Sequence, residues 1–306
     1  MKILVTGGAG FIASHVADRF IEQAHDVVIV DNLKMGRMEN VNPKAKFHLM
    51  DIRDKSIGKV FQEEAFDVMC HHAAQMDVRM SVEDPLYDAD VNVIGTLNLL
   101  QNCVRHGVKK VIFASTGGAV YGEQEIFPCD ETHPTRPISP YGITKLTVEK
   151  YLYYYGIEFG LKYVILRYAN VYGPRQNPKG EAGVVAIFSS RLLAGAQPII
   201  NGDGTQTRDY IYVGDVARMN LKALNYDQND IFNVGTGIET DVNAIFKQIN
   251  ILTGGKAEEK HGPAKAGEQK RSVISYWKAK KILGWSPEVD IEKGLEKTVD
   301  FFREEK

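Results

Sequence analysis

The sequence has few cysteines and no uninterrupted apolar stretch long enough to span a bilayer. Its three cysteines, Cys70, Cys103 and Cys129, are too few and too scattered for a disulfide framework or a zinc cage. We therefore expect free thiols, buried or half-buried, in a reducing compartment. The most apolar segment, residues 183–200, is interrupted by Arg191 and Pro198. The sequence also begins without the apolar region of a signal peptide, so a cytoplasmic protein without a membrane partner is expected.

An excess of charge is also absent. The 306 residues include 37 basic and 39 acidic side chains, for a formal net charge of −2, so a field that attracts nucleic acid is not expected. With 44% hydrophobic and 25% charged residues, the composition is that of a globular protein. Disordered and collagen-like classes are excluded, and the length allows one large domain or two smaller ones.

What the sequence does contain is an alternation of short apolar runs with helical stripes. The runs predict strands at residues 2–6, 26–31, 46–50, 67–71, 109–116 and 162–169. Helices are predicted between them, including residues 88–106 and 140–159, and further helices at about 213–225, 241–253, 276–283 and 291–304. Such alternation is typical of an α/β fold with a doubly wound parallel sheet, the Rossmann arrangement.

After about residue 171 the alternation of strands and helices becomes less regular, because proline and glycine residues separate shorter elements. We predict a dinucleotide-binding Rossmann domain at residues 1–175, with segments from about 205–237 returning to it. Residues 176–306 are predicted to form a smaller C-terminal α/β lobe that binds the substrate.

The first strand–helix turn has small residues at a three-residue spacing, Gly7, Gly10 and Ala13. Gly7 allows a tight turn, and Gly10 allows backbone N–H groups to approach a diphosphate at the N-terminus of the helix. Asp31 ends the second strand, where a carboxylate accepts hydrogen bonds from ribose hydroxyls and repels a 2′-phosphate. The pattern favours NAD over NADP, although Lys34 and Arg37 follow closely.

Tyr141 and Lys145 form a Tyr-x-x-x-Lys pair. The spacing alone is not diagnostic, because Tyr276 and Lys280 repeat it in a basic stretch. Before Tyr141, however, Ser139 and Pro140 suit the start of a helix, which places Tyr141 and Lys145 one turn apart on one face. We interpret them as catalytic residues.

The expected chemistry is proton transfer by a phenol. A free phenol has a pKa of about 10. A cation about 5 Å away contributes roughly 3 kcal/mol at an effective dielectric constant of 20, or about two pKa units. Lys145, together with an oxidised nicotinamide, would thus make Tyr141 a usable base. Ser115 and Thr116 end a predicted strand, where ligands bind in open parallel sheets, and both are predicted to be catalytic. Thr116 would hydrogen-bond the reacting oxygen.

These motifs together resemble the extended short-chain dehydrogenase/reductase family, and within it the NAD-dependent nucleotide-sugar epimerases of the UDP-glucose 4-epimerase type. The resemblance covers nearly the whole chain. The segments that carry it are residues 6–12, 31–33, 51, 72–75, 92–96, 120–122, 141–145 and 167–174.

The resemblance implies a tightly held NAD and a UDP-hexose substrate; from the residues themselves, no metal site is expected. Tyr141 would take the proton of the sugar 4-hydroxyl while the C4 hydride goes to NAD; the 4-keto sugar would turn over, and the hydride would return to its other face. The implied cofactor-binding residues are Gly7, Gly10, Phe11, Ile12, Asp31, Asn32, Asp51, Ile52, His72, Ala73, Ala74, Gln75, Asn92, Tyr141, Lys145 and Tyr168. The implied substrate-binding residues are Thr116, Gly117, Asn170, Val184, Val185, Asn201, Arg208, Lys265, Glu268 and Ser272.

The sequence departs from the family pattern at several positions. Lys265 stands where arginine is common, and it lacks the bidentate fork of arginine. Gly117 and Gly118 occupy the place where dehydratases and decarboxylases carry a carboxylate, which argues against water elimination. Ser272 matches a position where a bulky tyrosine is associated with exclusion of N-acetyl sugars, so UDP-N-acetylglucosamine is predicted to be accepted as well.

Other functions remain open. They are 4-epimerisation or decarboxylation of UDP-glucuronate, another nucleotide-sugar dehydratase or reductase reaction, and a non-catalytic NAD sensor. The resemblance also supports a homodimer formed through the helices predicted at residues 88–106 and 140–159. His71 and His72 are adjacent on a predicted strand, so their side chains face opposite ways and do not form a chelating pair.

Overall fold

The computed structural model describes residues 1–178, 183–264 and 269–305. The chain forms two compact units, each built from separate segments. Unit 1 comprises Met1–Gly122, Pro134–Tyr168 and Ala217–Phe232, and unit 2 comprises Glu123–His133, Ala169–Val216 and Asn233–Lys306. This division differs from the single boundary near residue 175 that the sequence predicted. One reason is that backbone hydrogen bonds join Cys129 to Val273 and Ser275, which places the segment around Cys129 in unit 2. The assignment of one domain to NAD and the other to substrate stays a prediction.

Seven strands form the central sheet in the order β11-β6-β5-β4-β1-β2-β3. They are β1 (Lys2–Thr6), β2 (Asp26–Asp31), β3 (Lys46–Leu49), β4 (Val68–His71), β5 (Lys110–Thr116), β6 (Lys162–Tyr168) and β11 (Asp230–Val234). The pairs from β6 to β3 are all parallel. Because the chain winds one way from β1 to β3 and the other way from β4 to β6, the fold is the doubly wound α/β arrangement, as predicted.

The helices of the first 170 residues are α1 (Phe11–Glu22), α2 (Ile57–Glu64), α3 (Val78–Glu83), α4 (Pro85–Ala89), α5 (Thr96–Arg105) and α6 (Pro140–Phe159). A short 3₁₀ turn lies at Met38–Asn40. α6 begins as predicted, since the Ser139 side chain accepts a hydrogen bond from the Gly142 N–H and Pro140 occupies the first turn. It ends at Phe159, and the C-cap residue Gly160 has φ +65°.

The segment predicted as a single helix at residues 88–106 is helical as far as Arg105, but it is divided into three elements. α4 ends at Ala89, a π-helical segment follows at Asp90–Gly95, and α5 begins at Thr96. Periodicity alone could not show this, because one widened turn hardly changes the apolar stripe. The widened turn contains Asn92, whose side chain is buried and hydrogen-bonded to the segment after β4.

The strands of unit 2 in the described residues are short. They are β7 (Asn170–Tyr172), β8 (Ile200–Asn201), β9 (Thr207–Arg208), β10 (Tyr210–Tyr212), β12 (Thr240–Asp241), β13 (His261–Gly262) and β14 (Arg271–Ser272). They form three small sheets, ordered β10-β7, β12-β9-β14 and β13-β8.

The remaining helices are α7 (Val184–Leu193), α8 (Val213–Asn225), α9 (Val242–Leu252), α10 (Trp277–Leu283) and α11 (Ile291–Glu304). α8 and α11 have the predicted limits. α7, α9 and α11 pack on one another around a core that includes Phe188, Phe246 and Leu295.

The three cysteines are buried thiols outside any disulfide, as predicted. Across residues 1–178, 183–264 and 269–305, no helix combines the length and apolarity needed to cross a membrane.

Candidate active site

The loop between β1 and α1 is shaped for a close approach of backbone. Gly7 has φ +73°, and a Cβ atom there would lie 2.7 Å from the Ala73 backbone nitrogen. Gly10 is the N-cap of α1, and no side chain caps the helix. The first N–H groups of α1 therefore point out of the helix without a side-chain acceptor, an arrangement that suits a diphosphate. Phe11 and Ile12 are the first two residues of this helix and are half-buried.

Asp31, at the end of β2, is buried and holds the loop in place. Its Oδ2 accepts a hydrogen bond from the Ala9 N–H at 3.0 Å, and its Oδ1 accepts one from the Leu33 N–H at 2.8 Å. Burial raises the pKa of Asp31, and these two hydrogen bonds oppose that rise. The carboxylate thus ties the glycine-rich loop to β2.

Next to it, Asn32 donates a hydrogen bond to Asp51 at 2.9 Å. Hydrogen bonds from Arg53 are the largest cause that holds the pKa of Asp51 well below its usual range. The Lys34 ammonium donates a hydrogen bond to the Tyr87 hydroxyl at 2.6 Å. Ile52, predicted to bind the cofactor, lies in the hydrophobic core.

The carboxyl end of β4 brings two histidines into the site. His71 is buried, with its ring nitrogens 2.7 Å from the Thr6 hydroxyl and 2.8 Å from the Thr96 hydroxyl. The His72 Nε2 lies 3.1 Å from the Tyr168 hydroxyl. Burial, followed by the charge of Lys145, lowers the pKa of His72 to about 3 and that of His71 well below its usual value. Both rings are therefore neutral at physiological pH.

The segment after His72 leads from the glycine loop to the π-helical turn. Ala73 lies against Gly7, and Ala74 follows it, half-buried. Gln75 and Asn92 form a reciprocal pair, in which the Gln75 N–H donates to Asn92 Oδ1 at 2.8 Å and Asn92 Nδ2 donates to the Gln75 carbonyl at 2.9 Å. Through these two hydrogen bonds, Asn92 fixes the backbone of the segment after His72.

Tyr141 and Lys145 lie one turn apart on α6, as predicted. The Lys145 side chain is buried, and its Nζ donates a hydrogen bond to the Ala114 carbonyl at 2.9 Å. The same nitrogen lies 5.8 Å from the centre of the Tyr141 ring and 4.9 Å from that of Phe113. Burial lowers the pKa of Lys145 to about 8. An ammonium group has three donors, so two remain for a bound cofactor.

The end of β5 separates the two hydroxyl residues that the sequence placed together. Ser115 is buried and donates to Glu149 Oε1 at 2.5 Å. Thr116 is half-buried and lies beside Tyr168 of β6, and the Gly117 N–H donates to the Tyr168 carbonyl at 2.8 Å. Adjacent residues of a strand face opposite sides, a signal that could have separated Ser115 from Thr116.

Sequence reasoning missed the charged pair behind Ser115. Arg167 donates to both oxygens of Glu149, at 3.0 and 2.5 Å, and to the Tyr121 hydroxyl at 2.9 Å. Glu149 lies four residues after Lys145 on α6, so the helical spacing was the available signal. Asp88, a buried carboxylate that contacts Gln75, Asn92 and Thr144, was missed as well.

In unit 2 the structure brings together three predicted substrate-binding residues. Arg208 and Ser272 are direct partners in the pairing of β9 with β14, and Ser272 is buried. The Asp209 N–H donates to the Ser272 carbonyl at 2.9 Å, while the Asp209 carbonyl accepts from the Asn170 N–H at 2.9 Å. Asp209 therefore connects Asn170 with Ser272 and adjoins Arg208.

The Asp209 carboxylate is buried and accepts four hydrogen bonds. Oδ1 accepts from the N–H and hydroxyl of Thr236, and Oδ2 accepts from the N–H groups of Gly237 and Ile274. Burial raises the pKa of Asp209 to about 6, against the opposing effect of these hydrogen bonds. Pattern reasoning missed this residue, although it follows Arg208 directly.

The other predicted substrate residues are not joined to this group by the hydrogen bonds above. Val184 and Val185 begin α7, and Val185 is part of the unit 2 core. The carbonyl of Asn201 in β8 accepts a hydrogen bond from the Gln206 side chain at 3.2 Å. Lys265 and Glu268 lie outside the described residues.

A family model and the similar solved structures point to the same kind of protein. The model of the NAD dependent epimerase/dehydratase family matches residues 3–235. The UDP-glucose 4-epimerase of Thermotoga maritima, solved with UDP-glucose, is 50% identical with a TM-score of 0.98, covering 100% of this chain and 99% of that one. The Thermus thermophilus UDP-glucose 4-epimerase, solved with NAD, is 44% identical with a TM-score of 0.93, covering 99% of both chains.

A third similar structure differs in the sugar. It is the UDP-N-acetylglucosamine 4-epimerase of Methanobrevibacter ruminantium, solved with UDP-N-acetylmuramic acid. It is 35% identical with a TM-score of 0.94, covering 100% of this chain and 99% of that one.

Proposed function

The chain belongs to the NAD-dependent epimerase/dehydratase family, and we propose that it interconverts UDP-glucose and UDP-galactose by 4-epimerisation. The observation that carries this proposal is the Lys145 ammonium, buried one helical turn from Tyr141 and hydrogen-bonded to the Ala114 carbonyl. This arrangement provides a phenol with a fixed cation beside it, as proton transfer at a sugar hydroxyl requires. The full-length similarity to UDP-glucose 4-epimerases supports the same reaction.

The residues around the glycine-rich loop fit NAD. The uncapped N-terminus of α1 suits the diphosphate, and Asp31 with Asn32 suits the adenosine ribose. Lys145 has two donors left for hydroxyl groups of the cofactor. These residues would hold the cofactor, and the chemistry that NAD would supply when bound is reversible hydride transfer at sugar C4.

The protein side of the reaction is the movement of one proton. Tyr141 accepts the proton of the sugar 4-hydroxyl at its phenolic oxygen and later returns it. Because His71 and His72 are neutral, Lys145 is the cation of this cluster that favours the phenolate. Thr116 donates a hydrogen bond to the reacting oxygen, whereas Ser115 supports Glu149 from the other face of β5.

We further propose that unit 2 supplies the nucleotide-sugar contacts. Arg208 pairs with the diphosphate, and Asn170 and Ser272, which the Asp209 backbone connects, lie in the same set of contacts. Val184, Val185 and Asn201 are proposed to contact the nucleotide. Lys265 and Glu268 are proposed to complete these contacts.

UDP-N-acetylglucosamine is proposed as a second substrate. Ser272 is small and buried, so it leaves more room than a tyrosine at the same position. The similarity to a UDP-N-acetylglucosamine 4-epimerase supports this proposal. The substitution Ser272→Tyr is expected to remove turnover of the N-acetyl sugar and to keep that of UDP-glucose. Equal turnover of the N-acetyl sugar by both proteins would contradict it.

A homodimer is also proposed. α6 carries large apolar side chains that are exposed, including Ile143, Tyr153, Tyr154 and Ile157, and Ile94 of the π-helical segment is exposed too. Apolar surface of this kind marks an interaction site. Light scattering on the purified protein would measure the assembly. The three buried cysteines, none of them in a disulfide, support a cytoplasmic location.

The reaction can be tested by proton NMR. The purified protein is incubated separately with UDP-glucose, UDP-galactose, UDP-N-acetylglucosamine and UDP-glucuronate, with no added reductant. We expect 4-epimer signals to grow from UDP-glucose and from UDP-galactose until both samples reach the same ratio. A 4-keto-6-deoxy product would indicate a dehydratase, a pentose product a decarboxylase, and no reaction of any sugar would contradict the proposal.

A further inference from the structure

Asp88 is a buried carboxylate whose hydrogen-bond donors are all neutral. Its Oδ1 accepts from the Gln75 side-chain amide at 2.9 Å and from that of Asn92 at 3.1 Å. Its Oδ2 accepts from the Thr144 hydroxyl at 2.8 Å. The residue is 0% exposed, and it makes no ion pair within the described part of the chain. A buried carboxylate without an ion pair is costly unless a cation lies nearby.

Lys145 is the complementary case, a buried cation whose hydrogen-bond acceptor is neutral. It follows Thr144 directly on α6 and is only 4% exposed. Within the part of the chain that the structure describes, its hydrogen bond is to the neutral Ala114 carbonyl. Its ammonium lies 5.8 Å from the centre of the Tyr141 ring. The other titratable groups that act on it electrostatically are Glu149 on α6, Asp88 on α4, and His71 and His72 at the end of β4. Asp88 and Glu149 favour its charged form, while burial opposes it.

The two carboxylates are not equivalent. Glu149 is bound by both guanidinium donors of Arg167 and by the Ser115 hydroxyl, so its charge is balanced within its own hydrogen-bond network. Asp88 has no such cation. Its charge is therefore the one that lacks a local partner and is free to stabilise the ammonium of Lys145.

We propose that Asp88 is a positioning residue that keeps Lys145 protonated for the proton transfer at Tyr141. Asp88 also fixes Thr144 on α6 and, through Gln75 and Asn92, the segment after β4. The inference rests on the proposed function for its consequence in catalysis. The proposed electrostatic link between Asp88 and Lys145 does not depend on which sugar is the substrate.

The test uses the substitution Asp88→Asn in the NAD-containing enzyme. The amide oxygen can still accept from Gln75 and Asn92, and the amide nitrogen can donate to the Thr144 hydroxyl, which keeps its hydrogen bond to the Tyr141 carbonyl at 3.0 Å. Only the charge is lost. We expect the alkaline limb of kcat/KM to move down by about one pH unit. Activity would be nearly unchanged at pH 6 and about fivefold lower at pH 8.

A direct measurement separates this inference from the proposed function. The lysine side chains are labelled with ¹³C at Cε, and the Lys145 resonance is assigned by its absence in Lys145→Met. We expect its titration midpoint to be about one pH unit lower in Asp88→Asn than in the wild type. This result requires no sugar turnover. An unchanged midpoint in a folded Asp88→Asn protein would overturn the proposal.

Glu64→Gln is the matched control, because Glu64 is also a buried carboxylate of unit 1 but pairs with Lys2 at 2.6 Å. It is expected to lower stability and leave the alkaline limb in place. If Asp88→Asn folds poorly, a double-mutant cycle with Lys145→Met replaces it. The double variant should be more stable than the sum of the single losses predicts, and strict additivity would contradict the proposal.

Discussion

The two units of the molecule differ in the length of their strands and of the strand pairing. In unit 1, six parallel strands of four to seven residues pair with neighbours over most of their length, for example Lys110–Thr116 with Lys162–Tyr168. In unit 2, Thr207 and Arg208 of β9 pair with two-residue strands that lie more than thirty residues away on the later chain, β12 and β14. A long strand shares its stabilisation among many contacts. A two-residue strand depends on a few hydrogen bonds, so single polar side chains matter more in unit 2.

This difference predicts how variants will behave. A change at the catalytic residues of unit 1 should remove chemistry and leave the fold intact. A change at a buried polar group of unit 2 should loosen several segments together. The following variants test this contrast, in order of decreasing effect.

The largest effect is expected for Tyr141→Phe. The substitution removes the hydroxyl that transfers the proton and keeps the ring, so turnover should fall about 10³-fold, within the range for general acid–base groups. Bound NAD and the thermal midpoint should be unchanged, because Tyr141 is only half-buried at the start of α6. Proton NMR with UDP-glucose, cofactor absorbance and a thermal scan measure the three quantities.

Tyr276→Phe is the matched control. Tyr276 belongs to the second Tyr-x-x-x-Lys pair, and its ring stacks on Trp277 at 5.7 Å. The control should keep full turnover. Retained turnover in Tyr141→Phe would contradict the assigned role of Tyr141.

The next effect is expected for Asp209→Asn in unit 2. An amide has one acceptor oxygen, whereas the carboxylate receives two donors on each of its oxygens, from Thr236, Gly237 and Ile274. Two N–H groups would then face the amide nitrogen without an acceptor. We expect the free energy of unfolding to fall by about 3 kcal/mol and the KM for the UDP-sugar to rise, because the backbone of Asp209 adjoins Asn170 and Ser272.

Asp215→Asn serves as the control for this variant. Asp215 is equally buried, and its Oδ2 accepts from the N–H groups of Glu288 and Val289, residues with no proposed role in substrate binding. It should lower stability without raising KM. If both variants raised KM equally, Asp209 would have no special link to the substrate contacts.

The same contrast explains how much of the molecule could be predicted. The strands of unit 1 are near-continuous apolar runs, and their limits were predicted to within one residue at each end. The sequence alone could predict the glycine loop, Asp31 and the Tyr141–Lys145 pair, because each is a local motif beside such a strand. Local spacing also determined the start of α6 at Ser139 and Pro140.

Tertiary contacts could not be predicted in this way. Asp88 contacts Gln75 and Thr144, which are 13 and 56 residues away in the sequence, and no local pattern records such contacts. The two-residue strands of unit 2 are too short to show a period of two. Asp209 was overlooked for this reason, although it connects segments that carry three predicted substrate residues.

The smallest effect is expected for Glu64→Gln, at the other end of the unit 1 sheet. Glu64 pairs with Lys2 at 2.6 Å and also contacts Lys46. Burial alone would raise the pKa of Glu64, but the two lysines outweigh burial and lower it to about 2. The folded state therefore binds this proton more weakly than the unfolded chain, whose glutamate has a pKa near 4.3. The stabilisation is present above that pH and is lost as pH falls towards 2.

At pH 7 we expect Glu64→Gln to lower the free energy of unfolding by about 1–2 kcal/mol. The difference from the wild type should shrink between pH 4 and pH 2, where the wild-type carboxylate becomes protonated. Urea unfolding at several pH values measures it. The loss should stay below that of Asp209→Asn, since the long strands of unit 1 keep their pairing when one charge is removed. A larger loss for Glu64→Gln would show that the two units do not differ in this respect.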